Sequence, residues 1–138
     1  MGKSITELMT PNPCSIDADK PVSYAAKMMR DEDVGLAPIV EGDRLVGTVT
    51  DRDIAIRVVA EGKDPESTKV RDIASTDLVT IDPQQDLDEA LRLMAHHQVR
   101  RLPVVEEDGR LVGIVAQADI AREAAERETG HLVEEISL

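Results

Sequence analysis

Apolar residues fall along this chain in two series that match each other position by position. In the first series Cys14–Asp17 is a short β-prone segment. Pro21–Glu32 follows, with Val22, Ala25, Met28 and Met29 at the three-to-four-residue spacing of one helix face. Leu36–Val40 and Leu45–Thr50 are apolar β-prone runs parted by the turn-forming Glu41-Gly42-Asp43-Arg44. Asp51–Glu61 reads as a helix with Ile54, Ala55, Val58 and Val59 on one face, stopped by Gly62. The second series gives Leu78–Ile81, Asp86–His97, Arg101–Val105, Leu111–Val115 and Ala118–Arg127 in the same order. Asp86 followed by Glu89 predicts a capping box at the start of its helix. Each series therefore predicts strand, helix, two strands and helix, an α/β unit.

The match is an internal repeat. An offset of 65 residues relates Ile16 to Ile81, Met29 to Met94 and Pro38 to Pro103. One extra residue, Asp108, makes it 66 for Gly47 and Gly113 and for Asp53 and Asp119. Repeats usually bury their apolar faces on one another, so two tandem β-α-β-β-α repeats predict one pseudo-two-fold body with a cleft between its halves. At 138 residues the chain has the size of a single cooperative domain. The expected organisation is a first repeat at 1–62, a polar linker at 63–69, a second repeat at 70–128 and a tail at 129–138. Leu132, Val133 and Ile136 of the tail could dock on the body or on a second subunit.

Charge narrows the choice of partners. With 16 basic and 28 acidic residues the net charge is −12, which opposes attraction to nucleic acid or anionic membrane. A local arginine pair can still hold a small anion, because the global field is screened. Phe and Trp are absent and Tyr24 is the only aromatic, so no base-stacking platform exists. Cys14 is the single cysteine, permits no internal disulfide, and reads as an inert buried thiol in a strand. No long apolar stretch follows Met1-Gly2-Lys3, so no signal peptide or membrane span is expected and the location reads as cytoplasmic. His96 and His97 are adjacent and should diverge on a helix, with only His131 and Cys14 elsewhere, so no metal site is expected. No nucleophile–base pair or glycine-rich phosphate loop is apparent, and no catalytic residue is assigned.

Val34-Gly35-Leu36-Ala37-Pro38-Ile39-Val40, then Leu45-Val46-Gly47-Thr48-Val49 and Asp53-Ile54, resembles the CBS domain, named after cystathionine beta-synthase. Val99 to Val105, then Leu111 to Val115 and Asp119-Ile120, repeats it in register, so the chain resembles a CBS pair, or Bateman module, over roughly Ile5 to Ala125. Thr50-Asp51-Arg52-Asp53-Ile54 and His97-Gln98-Val99-Arg100-Arg101 are also similar to small stand-alone bacterial CBS-pair proteins. The resemblance implies clefts that take an adenosine-containing ligand (AMP, ADP or ATP, less readily S-adenosylmethionine or NAD) and no required cofactor. It further implies a homodimer, and an effector protein acting in trans.

The family's ligand signature, Gly-x-x-(Thr or Ser)-x-x-(Asp or Asn), is matched by Gly47, Thr50 and Asp53. A carboxylate accepts from both ribose hydroxyls, and glycine lets backbone approach closely. The same Thr50-x-x-Asp53 is equally a helix capping box. The second copy keeps Gly113 and Asp119 but has Ala116 in place of the hydroxyl. Losing one neutral hydrogen bond costs on the order of 1 kcal/mol, so the Thr50/Asp53 cleft ranks first and the Asp119 cleft second. Phosphate would need cations, and Arg100, Arg101 and Arg52 are the candidates. Arg100 and Arg101 stand where the first copy has Gly35 and Leu36; with pseudo-two-fold packing Arg100 could reach across to a phosphate in the first cleft, or both could instead pair with carboxylates on a solvated face. By family analogy the adenine walls are Pro13–Ile16 and Leu36–Pro38, including Ala37 and Pro38, with Leu78–Ile81 and Leu102–Pro103 in the second copy. A ligand-free dimeric interaction or stress protein is the alternative reading, with the motif serving only as a helix cap.

Overall fold

The computed structural model describes residues 4–126. In chain order its elements are α1 (Ile5–Leu8), β1 (Thr10–Pro11), β2 (Ile16–Asp17), α2 (Val22–Glu32), β3 (Leu36–Glu41), β4 (Arg44–Thr50) and α3 (Asp51–Ile54). A π-helical stretch, Ala55–Val59, continues α3, and α4 (Val70–Ile73), α5 (Leu87–His97), β5 (Arg101–Val105) and β6 (Leu111–Ala116) follow. A last helix, α6, covers 117–126. The expected tail, with Leu132, Val133 and Ile136, and the helix end at Arg127 lie outside the described residues.

The described chain divides into two compact units. The first-repeat unit holds 13–78 and 107–111. Its sheet runs β2-β3-β4, with β2 parallel and β4 antiparallel to β3. Alternation along β4 buries Leu45, Gly47 and Val49 on one side, as a half-buried antiparallel strand requires. The α2 stripe of Val22, Ala25 and Met29 packs with Ile16, Ile39 and Val49 in one apolar cluster. Helix α2 ends in left-handed Asp33, whose N–H donates to the Met29 carbonyl.

The second-repeat unit holds 4–12, 79–106 and 112–126 of the described chain, with sheet order β1-β6-β5. Leu87, Ala90 and Met94 of α5 pack with Ile81, Leu102, Val104, Val115 and Ile120. Gln98, at the position matching Asp33, closes α5 in the same left-handed conformation.

The short helices are exchanged between the repeats. Helix α4 opens the second repeat in sequence, yet Val70 and Ile73 are buried in the first-repeat core. Helix α1 opens the first repeat, and Ile5 is buried in the second-repeat core. The same bonds hold both: the Val70 N–H donates to the Lys20 carbonyl and the Ile5 N–H to the Gln85 carbonyl, each at 2.9 Å. The strand edges follow suit, with Thr10 opposite Ile114 and Ser75 opposite Thr48. Arg71 also donates to the Asp19 and Glu41 carboxylates at 3.0 and 2.6 Å, and its hydrogen bond holds the Asp19 carboxyl below its usual pKa.

Several sequence expectations change. Leu78–Ile81 forms no strand and makes only a one-residue bridge, Ile81 to Val104. In the first repeat the Ala18 N–H extends the β2 pairing to the Val40 carbonyl. The matching residue is Pro83, which has no N–H to give. Cys14 is exposed rather than buried, because β2 starts only at Ile16. Val58 takes the inward place on the helix after β4, while Val59 is 72% exposed and Ala55 is exposed, since helix neighbours do not share a face. Asp86 caps α5 through the Glu89 N–H, but the Glu89 carboxylate turns to Arg92, so only half of the box is used. The His96 and His97 rings meet edge to face at 4.8 Å instead of diverging. Among the described residues no three metal-ligating side chains cluster, and no helix is long and apolar enough to cross a membrane.

Candidate functional site

Both signature segments lie at a strand-to-helix corner, where an extended chain must become helical and expose unpaired N–H groups. At the first corner Thr50 is extended and caps α3. Its hydroxyl accepts the Asp53 N–H at 3.1 Å, and the Asp53 carboxylate accepts the Thr50 N–H at 2.9 Å. The capping box is thus complete, with Arg57 Nε 3.9 Å from Asp53 Oδ1. Arg57 also donates to the Ile73 carbonyl at 2.9 Å, tying this corner to the end of α4. Asp51 adds a second cap, its Oδ1 accepting the Arg52 N–H at 2.8 Å. Arg52 itself is exposed. Ala37 and Pro38 are buried in β3 opposite Val49 and Thr48.

Gly47 has its own structural reason. A Cβ there would stand 3.0 Å from the Ser75 carbonyl oxygen and 3.1 Å from the Ala74 Cβ. The close approach it permits is that of the 74–75 segment, which bonds to Thr48 in both directions. A Cβ at Gly113 would likewise run into the Met9 side chain and stand 3.0 Å from the Thr10 carbonyl oxygen.

At the second corner Asp119 keeps the carboxylate half of the box, accepting the Ala116 N–H at 3.3 Å without a hydroxyl partner. Its other oxygen accepts from Arg122 at 2.8 Å. The Gln117 N–H donates to the Arg100 carbonyl at 2.8 Å, which sets the basic pair against the start of α6. A cavity of about 570 Å³ opens there, lined by Arg100, Arg101, Ala116, Gln117, Ala118 and Ala121. Both arginines are exposed, and among the described residues neither is in an ion pair. Of the three expected cations, Arg100 and Arg101 therefore gather at the second corner, while Arg52 stays at the first with Thr50 and Asp53. Sequence reasoning did not find Gln117, Ala118 and Ala121. The available signal was the run of small side chains where the first copy has Thr50, Arg52 and Ala55.

The sequence model of the CBS domain family matches residues 5–60 and again 70–126. The chain belongs to the CBS domain family. Its CBS pair is 42% identical over 118 residues to the CBS domain-containing protein YhcV of Bacillus subtilis, covering 86% of this chain and 83% of that one. Among solved structures it is similar to Hypoxic Response Protein I with two coordinated zinc ions, at 39% identity and TM-score 0.80, covering 87% of this chain and 98% of that one. It is also similar to CBSX2 in complex with AMP, at 25% identity and TM-score 0.80, covering 92% and 99%.

The capping box gives a measurable role to the first corner whatever else it does. Thr50→Ala is expected to destabilise the CBS pair by about 1 kcal/mol, the usual worth of an N-cap hydroxyl. Urea unfolding, with the slope unchanged, measures it.

Proposed function

We propose that this CBS pair is a non-catalytic regulatory module that binds an adenosine-containing ligand, AMP, ADP or ATP, and passes its occupancy to a separate effector protein. The observation that carries the reading is the cavity at the start of α6, where Arg100 and Arg101 stand without ion-pair partners among the described residues. Guanidinium groups beside a helix N-terminus suit a phosphate. Asp119, in the first turn of α6, is the acceptor for ribose hydroxyls, because a carboxylate has lone pairs beyond those used by Ala116 and Arg122. AMP in the related CBSX2 supports the ligand class. Signalling requires that the ligand bind two conformations or assemblies unequally. A homodimer supplies such an assembly, and the exposed apolar side chains of Ile56 and Val59 are available to it.

One observation favours the ligand-free alternative. Thr50, Asp53 and Asp119 all make hydrogen bonds that shape their own corners, so each has a structural use without a ligand. Calorimetric titration of AMP, ADP, ATP, S-adenosylmethionine and NAD into wild type and Asp119→Ala decides between the readings. The expected result is binding of an adenine nucleotide that weakens about tenfold or more in the variant, since the lost acceptor is charged. Folded wild-type protein that takes up none of these ligands would overturn the sensor reading in favour of the interaction protein.

A further inference from the structure

The two corners share a backbone and the Asp53/Asp119 carboxylate, but differ at Gly35/Arg100, Leu36/Arg101, Thr50/Ala116, Asp51/Gln117 and Arg52/Ala118. The Asp51 N–H donates to the Gly35 carbonyl at 3.0 Å just as the Gln117 N–H donates to the Arg100 carbonyl at 2.8 Å, so Gly35 and Asp51 are the counterparts of Arg100 and Gln117. We infer that phosphate enters only the second corner, that Asp51 bars it from the first, and that each chain therefore holds one phosphate-bearing ligand. This rests on the adenosine-ligand reading above and adds Asp51 as its specificity-determining residue.

Three observations point the same way. Where the Arg100 side chain begins, the first copy has no side chain; a Cβ on Gly35 would instead stand 3.2 Å from the Asp51 Oδ2. A carboxylate thus borders the point from which Arg100 extends in the second copy, and opposes rather than attracts a phosphate. The helix donors are also spent at the first corner: the Arg52 N–H goes to Asp51 Oδ1 and the Asp53 N–H to Thr50 Oγ1. At the second corner Ala116 and Gln117 put neither a hydroxyl nor a carboxylate over the amides of Ala118 and Asp119. Finally, Ala118 leaves room at the second corner, where Arg52 stands in its place at the first.

Exchanging the groups tests the inference. Wild type is expected to bind one AMP per chain. Gly35→Arg with Asp51→Gln gives the first corner the second corner's residues at these two positions, and the carboxylate that would crowd the new side chain leaves in the same step. That double variant is expected to bind two AMP per chain. Gln117→Asp, which keeps Arg100 and alters only an exposed side chain, is expected to weaken AMP about tenfold or more while leaving thermal unfolding unchanged. Two equal AMP sites in wild type, or Gln117→Asp binding AMP as wild type does, would overturn the role of Asp51 while leaving the sensor reading intact. No AMP binding by wild type overturns this inference together with AMP as the ligand.

Discussion

Ile5→Ala is expected to destabilise the protein by about 2–5 kcal/mol, the range for emptying a fully packed isoleucine site. Nothing about a side chain in a helix of only four residues suggests such a loss. Here α1 is pinned. Ile5 has no exposure, its N–H bonds the Gln85 carbonyl, and the Thr6 N–H bonds the Pro83 carbonyl. Its neighbours are the α5 stripe and the β5–β6 strands of the second repeat, so the cavity opens in that unit. Urea unfolding of Ile5→Ala beside Val59→Ala makes the comparison. Val59 is equally aliphatic but 72% exposed, and its truncation should stay within about 0.5 kcal/mol. A loss below about 1 kcal/mol for Ile5→Ala would mean that α1 is not part of the core.

The exchange of α1 and α4 also marks the limit of what the sequence made legible. Helices α2 and α5 and the β3–β4 and β5–β6 strands were readable because their apolar spacing is local: Val22, Ala25 and Met29 or Leu87, Ala90 and Met94 announce one helix face each. Helices α1 and α4 have four residues apiece, too short for a period to emerge, and their place depends on bonds to Gln85 and Lys20 across 80 and 50 residues of chain. The lost strand at Leu78–Ile81 was legible in principle, since Pro83 stands where Ala18 must donate. Cys14 was misplaced because a β-prone segment gives no exact boundary, and the strand begins two residues later. At the site, the signature residues were found by pattern, but their hydrogen bonds turned inward. The cavity depends on what is missing: two side chains reduced to alanine at 116 and 118 beside two arginines that form no ion pair among the described residues.

Those arginines carry the second large effect. Arg100→Ala with Arg101→Ala is expected to weaken AMP binding by about a hundredfold, with adenosine binding nearly unchanged. A hydrogen bond to a charged group contributes about 1.5–3 kcal/mol when a ligand desolvates it, or roughly tenfold and upward in affinity for each arginine. The lower end is the appropriate choice, because both side chains are exposed and solvent screens them. For the same reason wild-type affinity for AMP should fall as salt is raised toward 1 M, where the screening length shrinks to about 3 Å, while the double variant should respond little. Replacement by lysine should restore only part of the loss, since an ammonium supplies the charge without the two-pronged geometry. Folding should not confuse the result: neither side chain is buried, and among the described residues neither holds a carboxylate whose partner would be lost. Calorimetry with AMP and adenosine separates the outcomes, because a double variant that binds AMP as wild type does would move the phosphate away from the α6 corner. Equal losses for AMP and adenosine would instead assign the arginines to the shape of the pocket rather than to the charge of its ligand.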